Sequence, residues 1–236
     1  MKVELLDAAV AAQQAKRPVV LLRSLDTAGQ WLIGTDTRDE ALAGLSAELR
    51  ERCHAALKRD GATVIEADGN RYLVQTLSPP YRLIVVGAVH IAQALITMAQ
   101  TAGYTPILVD PRPAFATAAR FPGFEIHDAW PQDILPTLNL DSRCAVVTLS
   151  HDPKIDEPAL AAALDSEAFY IGALGSRRNH AGRLERLAAL GYPPEALAKI
   201  AGPIGLSLGG RTPAEIAVAI LAQIIQRRYQ GAETAT

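Results

Sequence analysis

From residue 82 onward the chain alternates between short apolar runs and segments of helical periodicity. Leu83–Val86 reads as a strand, His90–Ala102 as a helix and Pro106–Val109 as a second strand. A short helix near Ala114–Arg120, a strand near Phe124–His127 and a further short helix over Pro131–Leu138 follow. Ala145–Leu149 is a near-continuous apolar run, as expected of a parallel strand covered on both faces. Asp156–Leu164 reads as a helix, Phe169–Ile171 as a strand and Ser176–Leu190 as a helix. The last helix opens at Thr212-Pro213-Ala214-Glu215, a capping box with proline at the first helical position, and is expected to end near Arg228. Strands alternating with helices predict βαβ units, and so an α/β fold: a Rossmann-like parallel sheet with helices on both faces.

The first 80 residues follow another rhythm. Met1–Lys16 has the pattern of an amphipathic helix, residues 18–24 and 30–34 of short strands, and Arg38–Arg59 of a helix carrying Leu42, Leu45, Leu49 and Leu57. Ala62–Glu66 and Arg71–Leu77 read as strands joined by a turn at Asp68-Gly69. Ser78-Pro79-Pro80 breaks the pattern and serves as a linker. The expected organisation is a small α+β N-terminal domain over 1–80 and a Rossmann-like domain over 81–236.

Composition narrows the function classes. A net charge of -2, from 23 basic and 25 acidic residues, argues against a nucleic-acid binder. Cys53 and Cys144 lie far apart, which fits reduced thiols in a cytoplasmic protein better than a disulfide framework or a zinc site. The N-terminal stretch lacks a signal-peptide pattern. The most apolar segment, Leu83–Ala99, contains Gly87, His90 and Gln93 and does not read as a membrane span.

In an open parallel sheet, ligands bind beyond the carboxyl ends of the strands. The first such end, Gly87-Ala88-Val89-His90, sits where a dinucleotide fold carries G-x-G-x-x-G, but only its first glycine is present. Valine at 89 is expected to project toward the place a pyrophosphate would take; His90 either faces a ligand or fills space at the helix start. Asp110, 18 residues beyond Ala92, has the spacing of a ribose-binding acid, with Arg112 beside it to meet a base or phosphate; a plain Asp-Pro turn is the alternative. His151-Asp152 offers an acid–base pair, a pocket lining or a turn. Gly172-Ala173-Leu174-Gly175-Ser176-Arg177-Arg178 leads a strand into a helix and gathers the N–H groups and guanidinium donors that an anion needs. The competing view is a glycine turn before a solvated basic helix continued by Arg183 and Arg186. Gly205 allows close backbone approach.

Together the stretches VVGAVHIAQAL, LVDPRPAFATAARFP, AVVTLSHDPKIDEPAL, FYIGALGSRRNHAGRLERLAALG and GPIGLSLGGRTPAEIAVAILAQII resemble the XdhC/CoxI family of molybdenum-enzyme maturation proteins, covering residues 82 to about 225. The resemblance implies a non-catalytic chaperone that binds molybdenum cofactor, as molybdopterin or its cytidine dinucleotide form. It implies support of sulfuration by a cysteine desulfurase and delivery of the cofactor to an apo molybdenum hydroxylase such as xanthine dehydrogenase, by a protein that is typically a cytoplasmic homodimer. Two departures stand out. The family's G-x-G-H loop is Gly87-Ala88-Val89-His90 here, which speaks against simple NAD binding. The G-S-x-P and G-G-C-x-E motifs usual in the family's N-terminal domain are absent from residues 1–80, so that half is expected to be altered. The rival expectations are an NAD(P)-dependent oxidoreductase using His151 and Asp152, and an interaction module that has lost its ligand.

Overall fold

The structure, a computed structural model, describes residues 3–37, 42–57 and 60–233. The chain divides into two compact units, residues 1–79 and 80–236.

The first unit runs α1 (Val3–Gln14), β1 (Val19–Ser24), β2 (Gln30–Gly34), α2 (Ala47–Ala56), β3 (Gly61–Ala67) and β4 (Asn70–Leu77). Its four strands form an antiparallel sheet in the order β2-β1-β4-β3. Alternation along β1 sends Val20 and Leu22 to one face, where they meet Leu49 and Cys53 of α2 together with Ile33 and Val74. The helix expected over Arg38–Arg59 is shorter than its leucine spacing suggested. Gly44, at φ +86°, turns the chain, and Ser46 then caps α2 by accepting from the Leu49 N–H at 3.3 Å. Residues 38–41 and 58–59 of that expectation lie outside the described residues.

The second unit runs β5 (Arg82–Val86), α3 (His90–Thr101), β6 (Thr105–Val109), β7 (Glu125–His127), α4 (Pro131–Ile134) with a 3₁₀ turn over Leu135–Leu138, β8 (Cys144–Thr148), α5 (Pro153–Leu164), β9 (Tyr170–Ala173), α6 (Arg177–Ala189), α7 (Pro194–Leu197), β10 (Ile200–Ala201) and α8 (Pro213–Glu233). The six strands are parallel and ordered β10-β9-β8-β5-β6-β7. Counted from β5, this is the 3-2-1-4-5-6 order of a dinucleotide-binding sheet, with its topological switch between β5 and β8.

Period-2 alternation divides the apolar residues between two layers. Leu83, Val85 and Val147 face Leu95 and Ile96 of α3 and Ile220 and Ile224 of α8. Ile84, Val86 and Val146 face Ile155, Ala159 and Leu160 of α5 and Leu187 of α6. This double coverage is why β5 and β8 read as unbroken apolar runs. At the start of α8 the capping box is present: Glu215 N–H donates to Thr212 Oγ1 at 3.3 Å, and Thr212 N–H donates to the Glu215 carboxylate at 2.9 Å. The helix continues to Glu233, beyond the expected end at Arg228.

The helix expected over Ala114–Arg120 does not form. Arg112 C=O closes one turn by accepting from Phe115 N–H, and Thr117 opens another by accepting from Arg120 at both its carbonyl and its hydroxyl oxygen. The two-residue strand β10 was not foreseen from the sequence, being too short for a periodic signal.

Candidate functional site

Because all six strands of the second unit are parallel, their carboxyl ends share one edge, where the loops after β5, β6, β8 and β9 converge around the switch point. Gly87 ends β5 at φ +108°. A Cβ there would stand 2.7 Å from the Ser150 backbone nitrogen, so the ends of β5 and β8 approach each other only over a residue without a side chain. Ala88 is buried, and its N–H donates to Asp110 Oδ2 at 2.7 Å. Val89 is the N-cap residue of α3, makes no side-chain cap bond, and packs partly against the core beneath α3. His90 is exposed in the first turn.

The end of β6 is organised by Asp110. Its fully buried carboxylate accepts from Ala88 N–H, from Arg112 N–H at 3.0 Å, and from the Arg112 guanidinium at 2.8 and 2.7 Å. Burial opposes ionisation of Asp110, but these hydrogen bonds outweigh it and hold the carboxyl below the usual carboxylate range. Asp110 is thus surrounded by donors of its own chain, and what it offers a ligand is the fixed plane of Arg112. That guanidinium lies 4.4 Å from the centroid of the exposed Phe115 ring. Arg120 ties this segment to the first loop, donating to the carbonyls of Ala88 at 2.9 Å and Phe115 at 2.7 Å.

After β8, the buried Thr148 hydroxyl has no hydrogen-bond partner. His151 adopts φ +63°, which turns its N–H to Asp156 Oδ2 at 3.1 Å. Asp152 caps α5 by accepting from Lys154 N–H at 3.0 Å, so its carboxylate serves the helix start. Asp156, almost fully buried, also accepts from the Ser150 hydroxyl at 2.6 Å and Ser150 N–H at 3.2 Å. Burial raises the Asp156 pKa above the usual value, and the Ser150 hydrogen bonds and the Arg183 charge only partly offset it.

After β9, Gly175 turns at φ +147°, and Ser176 caps α6 by accepting from Asn179 N–H at 3.2 Å. Arg177 and Arg178 are exposed in the first turn of α6. Arg183 is not part of a solvated basic face: it is buried, sits 3.8 Å from Asp156, and donates from Nη2 to Leu174 C=O at 2.9 Å.

Two glycines of the expected set hold packing positions. Gly172 lies inside β9, where a Cβ would collide with Ile204 at 2.5 Å. Gly205, at φ +97°, rests against the backbone of α8 and donates to Gln223 Oε1 at 2.8 Å. The edge therefore gathers Gly87, Ala88, Val89, His90, Asp110, Arg112, His151, Asp152, Gly175, Ser176, Arg177 and Arg178. Sequence reasoning missed Asp156, Arg120 and the burial of Arg183. The last left a trace, since Arg183 and the buried Leu187 share one helical face.

Among the described residues there is no cluster of three His, Cys, Asp or Glu able to hold a metal, and no helix is long and apolar enough to cross a membrane. Both cysteines are buried; burial pushes the Cys53 thiol up to about 11 and the Cys144 thiol up to about 12, far from a reactive thiolate.

Comparison with known proteins matches the XdhC Rossmann domain to residues 83–224. A probable xanthine dehydrogenase component of Bacillus subtilis (strain 168) is 33% identical over 156 residues, covering 66% of this chain and 45% of that protein. The molybdenum cofactor insertion chaperone PaoD of Escherichia coli (strain K12) is 32% identical over 155 residues, covering 66% of this chain and 42% of that protein. A crystal structure of a xanthine dehydrogenase from Bacillus halodurans superposes with a TM-score of 0.69 at 25% identity, over 96% of this chain and 64% of that one. The aligned part thus amounts to less than half the length of these two curated relatives. With its parallel sheet, its convergent loops and the matched domain filling most of the second unit, the chain belongs to the XdhC family.

Proposed function

We propose that the protein binds a molybdopterin-type cofactor at the strand-end edge of its second unit and helps to load an apo molybdenum hydroxylase. Family membership carries this reading, and the likeness to a molybdenum cofactor insertion chaperone sets its direction. The residues present fit such a ligand. Arg112 offers a flat guanidinium held by Asp110, and the Gly175–Arg178 turn opens a helix start with two exposed arginines. Gly87–His90 would line one side of the ligand site and His151 the opposite wall. The role is binding and hand-over, with no catalytic residue assigned. A cysteine desulfurase, a second copy of this chain and a cytoplasmic setting belong to the same proposal.

The oxidoreductase alternative is weakened by two observations. Asp152 is engaged as the cap of α5, and the ribose-binding role of Asp110 competes with four hydrogen bonds from its own chain. Calorimetry with extracted molybdopterin and with its cytidine dinucleotide tests the proposal, with saturable binding of one form expected. Folded protein that binds neither form, or that binds NAD or NADP tightly instead, would overturn it.

A further inference from the structure

Between α5 and α6 lies a cleft of about 330 Å³; its walls include His151, Asp156, Arg178, Gly182, Arg183 and Arg186, and neither Arg112 nor Gly87–His90 lines it. We propose that this cleft is an oxyanion subsite that takes the phosphate group of the protein's ligand, with Arg183 and Arg178 as its recognition groups.

The argument rests on unmet donor capacity. Arg183 is 6% exposed, and a buried guanidinium ordinarily has every N–H satisfied, because desolvation without a partner is costly. Here Nη2 donates to Leu174 C=O, and the Asp156 carboxylate stands off at 3.8 Å, beyond hydrogen-bond reach. Nη1 has no partner at all. Gly175 brings no side chain against the guanidinium, a Cβ there standing 3.7 and 3.9 Å from Nη2 and Nη1, and Arg183 forms part of the cleft wall. The contrast with Asp110–Arg112, where the carboxylate accepts four hydrogen bonds, shows that this fold can complete such a pair.

Charge favours an anion. Of the carboxylates in the cleft, Glu157 is neutralised by Arg186 at 2.6 Å, and Asp156 is turned onto Ser150 and the His151 N–H. That leaves Arg178 and Arg183 with no carboxylate at hydrogen-bond distance among the described residues, and α6 presents its N-terminus to the same space. A tetrahedral dianion bridging Arg178 and Arg183 from the cleft would supply the missing acceptor. Rim arginines that serve only solubility would not need a buried guanidinium behind them. The subsite rests on the cofactor reading only for the identity of the ligand, since a molybdopterin carries a phosphate.

The probe is inorganic phosphate, with pyrophosphate alongside, titrated into the full chain at low salt and followed by calorimetry. Saturable binding below the millimolar range is expected. Arg178→Gln should weaken it about tenfold, as for one lost charge-assisted bond. Gly182→Asp, which sets a carboxylate in the cleft at a helical position that tolerates a side chain, should abolish it. Arg227→Gln, an exposed residue of α8 outside the cleft, should leave it unchanged. Arg183→Met should abolish binding as well, and near-ultraviolet circular dichroism will show whether it folds; the Arg178 and Gly182 variants decide the question if it does not. Absence of phosphate and pyrophosphate binding to folded protein would overturn the subsite, as would equal weakening by Arg227→Gln and Arg178→Gln. If molybdopterin binds and Gly182→Asp does not affect it, the subsite fails while the cofactor reading stands. If phosphate binds as described and no cofactor form does, the subsite stands and the cofactor reading fails.

Discussion

Two carboxylate–guanidinium pairs flank the switch point, and they are built to different standards. Asp110 and Arg112 lie two residues apart, meet through two short hydrogen bonds, and share a carboxylate that also anchors the first loop. Asp156 and Arg183 come from different helices, stand 3.8 Å apart, and leave a guanidinium nitrogen without a partner. Arg112 is about one-third exposed, whereas Arg183 is enclosed. The first pair has the geometry of a finished structural joint. The second is buried more deeply and satisfied less well, which is the signature of a position shaped for something other than stability.

The largest effect should come from dismantling the finished joint. Asp110→Ala orphans the Ala88 N–H and frees Arg112, and should lower stability by about 3 kcal/mol in urea denaturation. A loss under about 1 kcal/mol would mean that the loop does not depend on Asp110. Arg183→Met should cost less, about 2 kcal/mol, because it forfeits one backbone hydrogen bond and leaves Asp156 with its Ser150 and His151 partners. If it proves the more damaging of the two, Asp156–Arg183 is a structural pair after all.

The pairs should also respond to acid in opposite senses. Asp110 titrates low in the folded chain, so its contribution is present above the usual carboxylate value and fades as pH falls through its depressed folded pKa. Asp156 titrates high, so its contribution is fullest below the usual carboxylate value and fades as pH rises through its raised folded pKa. Urea midpoints measured between about pH 3 and 8 should show the deficit of Asp110→Asn shrinking toward acid and that of Asp156→Asn growing. Parallel curves would erase the distinction. The smallest effect belongs to Arg112→Lys, which keeps the charge but loses the fork and its seat over Phe115. A loss of about 1 kcal/mol is expected, and none at all would show that the bidentate geometry carries no stability.

Much of the second unit could be read from sequence because its strands are covered on both faces. Leu83–Val86 and Ala145–Leu149 are apolar almost throughout, and such runs between helical segments point to a buried parallel sheet. The α8 start was equally plain, since its capping box is a local device. What escaped was decided by partners distant in sequence. Nothing local at Ala114–Arg120 announces that Arg120 will reach back to Ala88 across 32 positions, and nothing at Arg183 announces Leu174 and Asp156 as its surroundings. At the strand ends the residue types pointed to one edge of the sheet, but not to the division of labour there. Asp110 and Asp152 looked available to a ligand because their internal partners are backbone N–H groups and a neighbouring arginine, which no composition or spacing distinguishes from a ligand's own donors. Val89, expected to face a pyrophosphate, packs partly against the core.

Gly87 has a consequence for how this edge could be reshaped. The approach of β5 to β8 is set there by main chain against main chain, with no side chain to trim or enlarge. The floor of the crevice is therefore a fixed datum. Changes in the surrounding loops can alter which groups a ligand meets, its charge preference and the side from which it enters, but they cannot deepen the slot. Variation among proteins that share this junction would then be variation in the walls, and a redesign for a larger ligand would have to build outward from the loops.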